Sequence, residues 1–219
     1  MKKRNEITGG VYLVIDPSWD TAFTLPRLAQ ALHAGISTVQ IWDHWPEETN
    51  KIAFIQDITA LAHAAEVPVL INNHWELVKE TALDGVHFDH PCAEIEEIET
   101  IIGRPFLKGI TCGNDLTTVH WANDHKFDYV SFCSLFPSSS ADSCEIVAKA
   151  TVQKARKLTK MPIFVAGGIS LENIATLQDC GINGVALISA IMKSVNPFET
   201  TQQFNTHFST SSHETNPRP

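Results

Sequence analysis

The stretch "INNHWELVKETALDGVHFDHP" (residues 71–91) decides the fold. It starts at the end of one apolar run, PVLINN, crosses a short helical pattern and enters a second apolar run, GVHFD. Short apolar runs rich in Val and Ile, bounded by turn residues, read as buried strands. The polar residues gather just after each run: Asn72, Asn73 and His74 after the first, and Asp89, His90 and Cys92 after the second.

The same unit repeats outward in both directions. Strand-like runs occupy 10–16, 38–42, 68–73, 85–89, 107–112, 129–136, 163–168 and 184–190. Between them lie patterns with apolar residues three and four apart, such as LPRLAQALHAG and IAFIQDITALAHAA, which predict amphipathic helices. Gly35, Gly103 and Gly181 sit where helix C-terminal glycines belong. Eight strand-then-helix units in about 200 residues predict a (β/α)8 TIM barrel, ahead of an open doubly wound sheet. No break interrupts the alternation, so one domain is expected over 10–207, after an extension of residues 1–9. The polar tail 208–219 reads as disordered. In this fold the site lies at the C-terminal strand ends, where the polar residues of the opening stretch fall.

Composition narrows the partners. The chain of 219 residues is 43% hydrophobic and 19% charged, ordinary for a globular protein. A formal charge of -9 argues against a nucleic-acid surface. No apolar run approaches the roughly 20 residues that cross a bilayer, and the start MKKRNEITGG has no apolar stretch of a signal peptide behind it. Five scattered cysteines without a CxxC pair read as free thiols, so a cytoplasmic location is expected.

The segment "IFVAGGISLENI" (163–174) joins a strand to a Gly pair and then to Ser170, leading into a helix. Glycines let an anion approach the backbone, and a helix N-terminus offers unpaired N–H groups. "GVALISAI" (184–191) puts Ser189 at the next strand end. Phosphate sites after strands 7 and 8 recur in this fold, although a Gly pair also serves a plain tight turn. With "VQIWD" (39–43), "LINN" (70–73), "DGVHF" (84–88), "FPSSSAD" (136–142), "VAGGIS" (165–170) and "ALISAI" (186–191) in this order, residues 10–198 resemble the thiamine phosphate synthase and thiazole tautomerase (TenI-like) family.

The resemblance implies a thiazole phosphate held by Gly167, Gly168, Ile188 and Ser189. Ser138 and Ser140 stand where the family has Thr, and their hydroxyls can still donate to phosphate. It also implies a pyrimidine and diphosphate side that keeps Gln40, Asn72 and Thr111, Mg²⁺ as cofactor, and possible self-association into a homo-oligomer. Here the chain departs from the family. Trp42 and His44 replace an Arg and a Lys, Asn73 replaces one metal-binding Asp, Cys92 aligns with the other, and Ala141 replaces a Lys. An Asn-plus-Cys pair suits Mg²⁺ poorly. The tautomerase His is Gly113, beside Cys112, whose thiol reads as a buried structural group.

Three functional expectations follow. The first is a thiamine phosphate synthase, which joins a pyrimidine diphosphate to thiazole phosphate and releases diphosphate. The second is a non-catalytic barrel that binds thiazole phosphate or thiamine phosphate, with the diphosphate and metal ligands lost. The third is different chemistry on a phosphorylated substrate at a mouth lined by His44, His74, His90 and Cys92, whose ligand types would suit Zn²⁺ without a compact spacing signature. Trp42, Trp45 and Trp75 are placed either to stack on a ring or to seal the barrel rim.

Overall fold

The computed structural model describes residues 6–138 and 145–208. Ser140, Ala141 and the tail from 209 onward, expected to be disordered, lie outside the described residues. Eight strands pair in parallel in chain order and close into a barrel: β1 (Gly10–Ile15), β2 (Thr38–Ile41), β3 (Val69–Asn72), β4 (Gly85–Phe88), β5 (Leu107–Cys112), β6 (Tyr129–Phe132), β7 (Ile163–Ala166) and β8 (Gly184–Leu187). The fold is thus the single-domain (β/α)8 barrel that the alternation predicts.

Around it run α1 (Thr21–His33), α2 (Lys51–Ala64), α3 (Glu76–Glu80), α4 (Ile95–Ile102), α5 (Thr117–Asp124), α6 (Lys149–Leu158), a 3-10 helix (Ile174–Cys180), α7 (Ser189–Met192) and α8 (Pro197–Thr206). Helix starts are marked by side-chain caps: Asp20 accepts from the Ala22 N–H, Asn50 from Ala53 and Asn196 from Glu199. Gly103 and Gly181 end their helices in the left-handed conformation, with φ of 67° and 69°. No helix among the described residues is long and apolar enough to cross a membrane.

Two apolar clusters result from strand alternation. The larger one lies between sheet and helices and includes Val11, Leu13 and Ile15 of β1 together with Leu28 and Ala31 of α1. The smaller one fills the barrel itself, around Tyr12, Leu70, Tyr129 and Phe164. Tyr12, Tyr129 and Phe164 pack edge to face, with centroids 5.4–5.7 Å apart. Glycine at 109 and 184 makes this layer possible, because a Cβ there would overlap the Tyr129 and Phe164 rings respectively. Along the inward positions the chemistry grades from apolar to polar toward the C-terminal end: Leu70 then Asn72 on β3, and Tyr129 then Ser131 on β6.

A phenol hydroxyl buried in this layer needs a partner, since an unpaired one costs about 1–3 kcal/mol. Tyr12 donates to Gln40 Oε1 at 2.6 Å and shares a bond with the Tyr129 hydroxyl at 2.7 Å. Tyr129 also meets His87 Nδ1, and His87 Nε2 meets Thr111 Oγ1, both at 2.8 Å. Burial lowers the His87 pKa to about 4, with the nearby Asp89 charge opposing the shift.

Two outcomes follow from this interior. Gly109→Ala should destabilise the fold by about 2–3 kcal/mol through overpacking, measured by urea denaturation. Gly113→Ala, with nothing within 4 Å of its Cβ, is the matched control that should change little. Equal midpoints for the two variants would contradict the packing account. In the second, folded His87 stays neutral down to about pH 4, whereas an unfolded His titrates near 6.5. The unfolded chain therefore binds more protons between those values, and stability must fall as pH drops from 6.5 toward 4, by roughly 3 kcal/mol for this group. His87→Gln should flatten that part of the stability–pH curve; an unchanged slope would show that His87 is not held neutral.

Candidate ligand site at the barrel mouth

A cavity of about 610 Å³ opens at the C-terminal ends of the strands. On one side Ser138, Gly167, Gly168, Ile188 and Ser189 line it; on the other stand Gln40, Asn72 and Thr111. The structure thus brings together in one space the described residues expected on the phosphate side and on the pyrimidine side.

On the β7 side, Gly167 and Gly168 have φ of 86° and 63°, a region that side chains rarely adopt. They also touch the chain after β6: a Cβ on Gly167 would overlap Ser134, and one on Gly168 would overlap the Pro137 carbonyl. The β6 run is shorter than its expected span to residue 136 for the same reason. After Phe132 the chain crosses to the β7 loop, where Leu135 N–H donates to Ala166 O and Phe136 N–H to Gly167 O. Ser170 leads into a helix as expected, but a 3-10 one: the Ser170 carbonyl accepts from the Asn173 and Ile174 N–H groups at 3.2 and 3.0 Å. The Ser170 N–H donates to Asn173 Oδ1 at 2.9 Å, Asn173 Nδ2 returns a bond to Gly168 O at 2.8 Å, and the 3-10 helix starts at Ile174. The Ser170 N–H is therefore engaged within the loop, and Asn173 holds the Gly168 turn in place.

On the β3 and β4 side, Asp89 is clamped by two amides. Asn72 Nδ2 donates to Asp89 Oδ1 at 3.1 Å and Asn73 Nδ2 to Oδ2 at 2.8 Å, while Asp89 N–H donates back to Asn73 Oδ1 at 3.0 Å. Asn73 accepts a left-handed φ of 58° to make this turn, a conformation that Asn tolerates better than most residues. Its amide also lies 3.5 Å from Asp43 Oδ2.

The residues at this end do not fit the Mg²⁺ that the resemblance implies. Mg²⁺ requires an octahedron of oxygens, but at Asn73 an N–H₂ donor lies between the Asp43 and Asp89 carboxylates. Cys92, expected at a metal-ligand position, does not line the cavity, and its thiol donates to Glu94 at 3.2 Å. Burial and then the Glu94 hydrogen bond push that thiol's pKa up, away from a thiolate ligand. The Zn²⁺ alternative fails on placement as well. His44 pairs with Asp16 at 3.1 Å and His74 with Asp43 at 2.8 Å, and only His90 of the four candidates lines the cavity. Among the described residues no three His, Cys, Asp or Glu side chains converge on a metal position.

Other groups take the places that sequence reading left open. Trp42 lines the cavity, whereas Trp45 packs edge to face on Phe54, and Trp75 joins the outer core. Cys112 is buried, with its pKa pushed up to about 12, so it stays a thiol. Tyr12, His87, Asp89 and Ser131 complete the polar wall, and of these the sequence reading marked only Asp89. A signal for His87 existed: it is the one polar side chain inside the run GVHF, and it pairs in register with Asn72.

Comparison with known proteins establishes the family. The family model described as thiamine monophosphate synthase matches residues 11–191. The thiamine-phosphate synthase of Nitrosococcus oceani is 30% identical over 91% of this chain and 92% of its own length. That of Thiobacillus denitrificans is 30% identical over 84% of this chain and 87% of its own. A solved thiamine phosphate pyrophosphorylase from Pyrococcus furiosus superposes with a TM-score of 0.78 at 18% identity, covering 94% of this chain and 97% of that one. With the model spanning most of the barrel and relatives matching along nearly their whole length, the chain belongs to the thiamine monophosphate synthase family.

Proposed function

We propose that this barrel holds an aminopyrimidine and a thiazole phosphate together, as in thiamine phosphate, and joins them from the pyrimidine diphosphate far more slowly than a synthase would. One observation carries the reading: a single cavity of about 610 Å³ is lined both by Gly167, Gly168 and Ser189 and by Gln40, Asn72 and Thr111. Backbone at the Gly pair and the hydroxyls of Ser138 and Ser189 suit a phosphate. Ser140, on the same loop in sequence, would add a third hydroxyl. Gln40, Asn72 and Thr111 suit the polar edge of a pyrimidine, and Trp42 offers a flat apolar wall.

The slow turnover follows from charge. Joining the two halves breaks the bond between the pyrimidine's methylene carbon and diphosphate, and the thiazole nitrogen then supplies the pair for the new C–N bond. Negative charge grows on the departing oxygen, and each preorganised group that stabilises such charge is worth about 10²–10³ in rate. Trp42, His44, Asn73 and Cys92 stand where the family pattern has an Arg, a Lys and two metal-binding carboxylates. Such losses do not simply multiply, but they all act on the same leaving group.

A working synthase is the second reading. It is favoured by the Asp89 carboxylate on the cavity wall and by Lys51 at the start of α2, whose Nζ lies 3.4 Å from His74 Nε2 outside the cavity lining. Calorimetric titration with thiamine phosphate and thiazole phosphate, followed by a turnover assay with pyrimidine diphosphate, thiazole phosphate and Mg²⁺, separates the two. We expect both ligands to bind, with product forming at least about 10³-fold more slowly than in a synthase relative. Comparable turnover would establish the second reading instead, and no binding would overturn both. Ser189→Asp should weaken thiazole phosphate binding at least about 100-fold by like-charge repulsion. Unchanged affinity would place the phosphate elsewhere.

A further inference from the structure

The hydrogen bonds inside the barrel have a direction. A phenol has one proton, and an amide oxygen only accepts. Tyr12 therefore spends its proton on Gln40 Oε1, so in the 2.7 Å bond with Tyr129 it must accept. That spends the Tyr129 proton, and the Tyr129 oxygen must then accept from His87 Nδ1–H at 2.8 Å. Neutral imidazole has a single N–H, and burial keeps His87 neutral. With that proton on Nδ1, His87 Nε2 must accept from the Thr111 hydroxyl at 2.8 Å. The chain runs Thr111 to His87 to Tyr129 to Tyr12 to Gln40, every proton passing the same way. Both of its ends line the cavity.

We infer that Tyr12, Tyr129 and His87 form an ordered relay that sets the polarity of the cavity wall, so that Gln40 meets a ligand as a donor through its NH₂ and Thr111 meets it as an acceptor. Gln40 cannot turn its oxygen to the ligand without reversing the bonds behind it, and Thr111 cannot donate while its proton is held by His87. The pair selects a heteroaromatic ring that offers a nitrogen lone pair at one edge position and an amine N–H at the other. A 4-aminopyrimidine has that pattern. Its 4-oxo analogue, with a carbonyl where the amine was and a proton on the ring nitrogen, has the inverse one. Tyr12, Tyr129 and His87 act through Gln40 and Thr111 and are positioning residues. This ligand choice rests on the function proposed above, whereas the relay itself does not.

The test has two arms. In the free protein, ¹⁵N NMR of the imidazole reads the tautomer directly. We expect a protonated Nδ1 and a bare Nε2 on His87, and a protonated Nε2 would overturn the relay's direction. In the second arm, the affinities of thiamine phosphate and of its 4-oxo analogue are compared in the wild type and in Tyr129→Phe, which keeps the ring that packs on Gly109 and removes only the hydroxyl. The wild type should prefer the amine by at least about 10-fold, as mismatched buried polar groups cost about 1–3 kcal/mol. In Tyr129→Phe the preference should collapse toward unity, while thiazole phosphate binds as before. Tyr12→Phe, which frees Gln40 from its donor, should do the same. A general loss of folding or affinity would weaken all three ligands together, and an unchanged amine-to-oxo ratio would overturn the inference. If neither pyrimidine compound binds, the proposed function fails, and the His87 tautomer alone decides the relay.

Discussion

Two phenol hydroxyls buried in a closed barrel must be hydrogen-bonded, and much of this site depends on how that need is met. Tyr12 and Tyr129 fill the interior beside Phe164, where their rings supply apolar bulk. Their hydroxyls are buried, and Gln40 and His87 supply partners for them. These partners lie one step higher in the barrel and reach the cavity. The group that satisfies the core is thus the same group that faces the cavity. Glycines at 109 and 184 admit the rings, and the grading of inward residues from apolar to polar turns a packing layer into the polar wall of the cavity.

At the rim the same accounting gives a different result. Asp89 is a carboxylate on the cavity wall, but Asn72 and Asn73 already donate to both of its oxygens. An acid engaged in this way shapes the mouth more than it offers lone pairs to a cation. His44 and His74 are each turned toward a different aspartate. The family scaffold is kept, and on the function proposed here the Gly pair serves a phosphate while the opposite end presents amides, imidazoles and indoles. That asymmetry is the reason to separate binding from turnover in assigning a role to this chain.

The fold was readable in the residues because its cause is local: eight apolar runs bounded by turn residues, each followed by a helical period. The place of Gly167, Gly168 and Ser189 on the cavity wall was readable too, because they lie just past strand ends. What escaped was whatever depends on two strands at once. His87 looks like one polar residue in an apolar run until β3 and β4 are set in register with Asn72 beside it. Tyr12 and Tyr129 lie 117 positions apart and meet only across the closed barrel. Ser170 was read as leading into a helix, and it does, but the Asn173 side chain takes the Ser170 N–H, a bond the sequence pattern does not reveal. Cys92 aligned with a metal-binding acid in sequence, yet its loop directs it to Glu94.

The central claim is that one cavity accommodates a phosphate at the β7 and β8 ends and an aminopyrimidine against β2 and β5. A crystal structure of the protein grown with thiamine phosphate tests it most directly. The account predicts the phosphate on the backbone of Gly167 and Gly168 and the side chain of Ser189, with the pyrimidine edge between Gln40 and Thr111. A phosphate bound instead among His44, Lys51 and His74 at the rim, with Gln40 and Thr111 untouched, would contradict it.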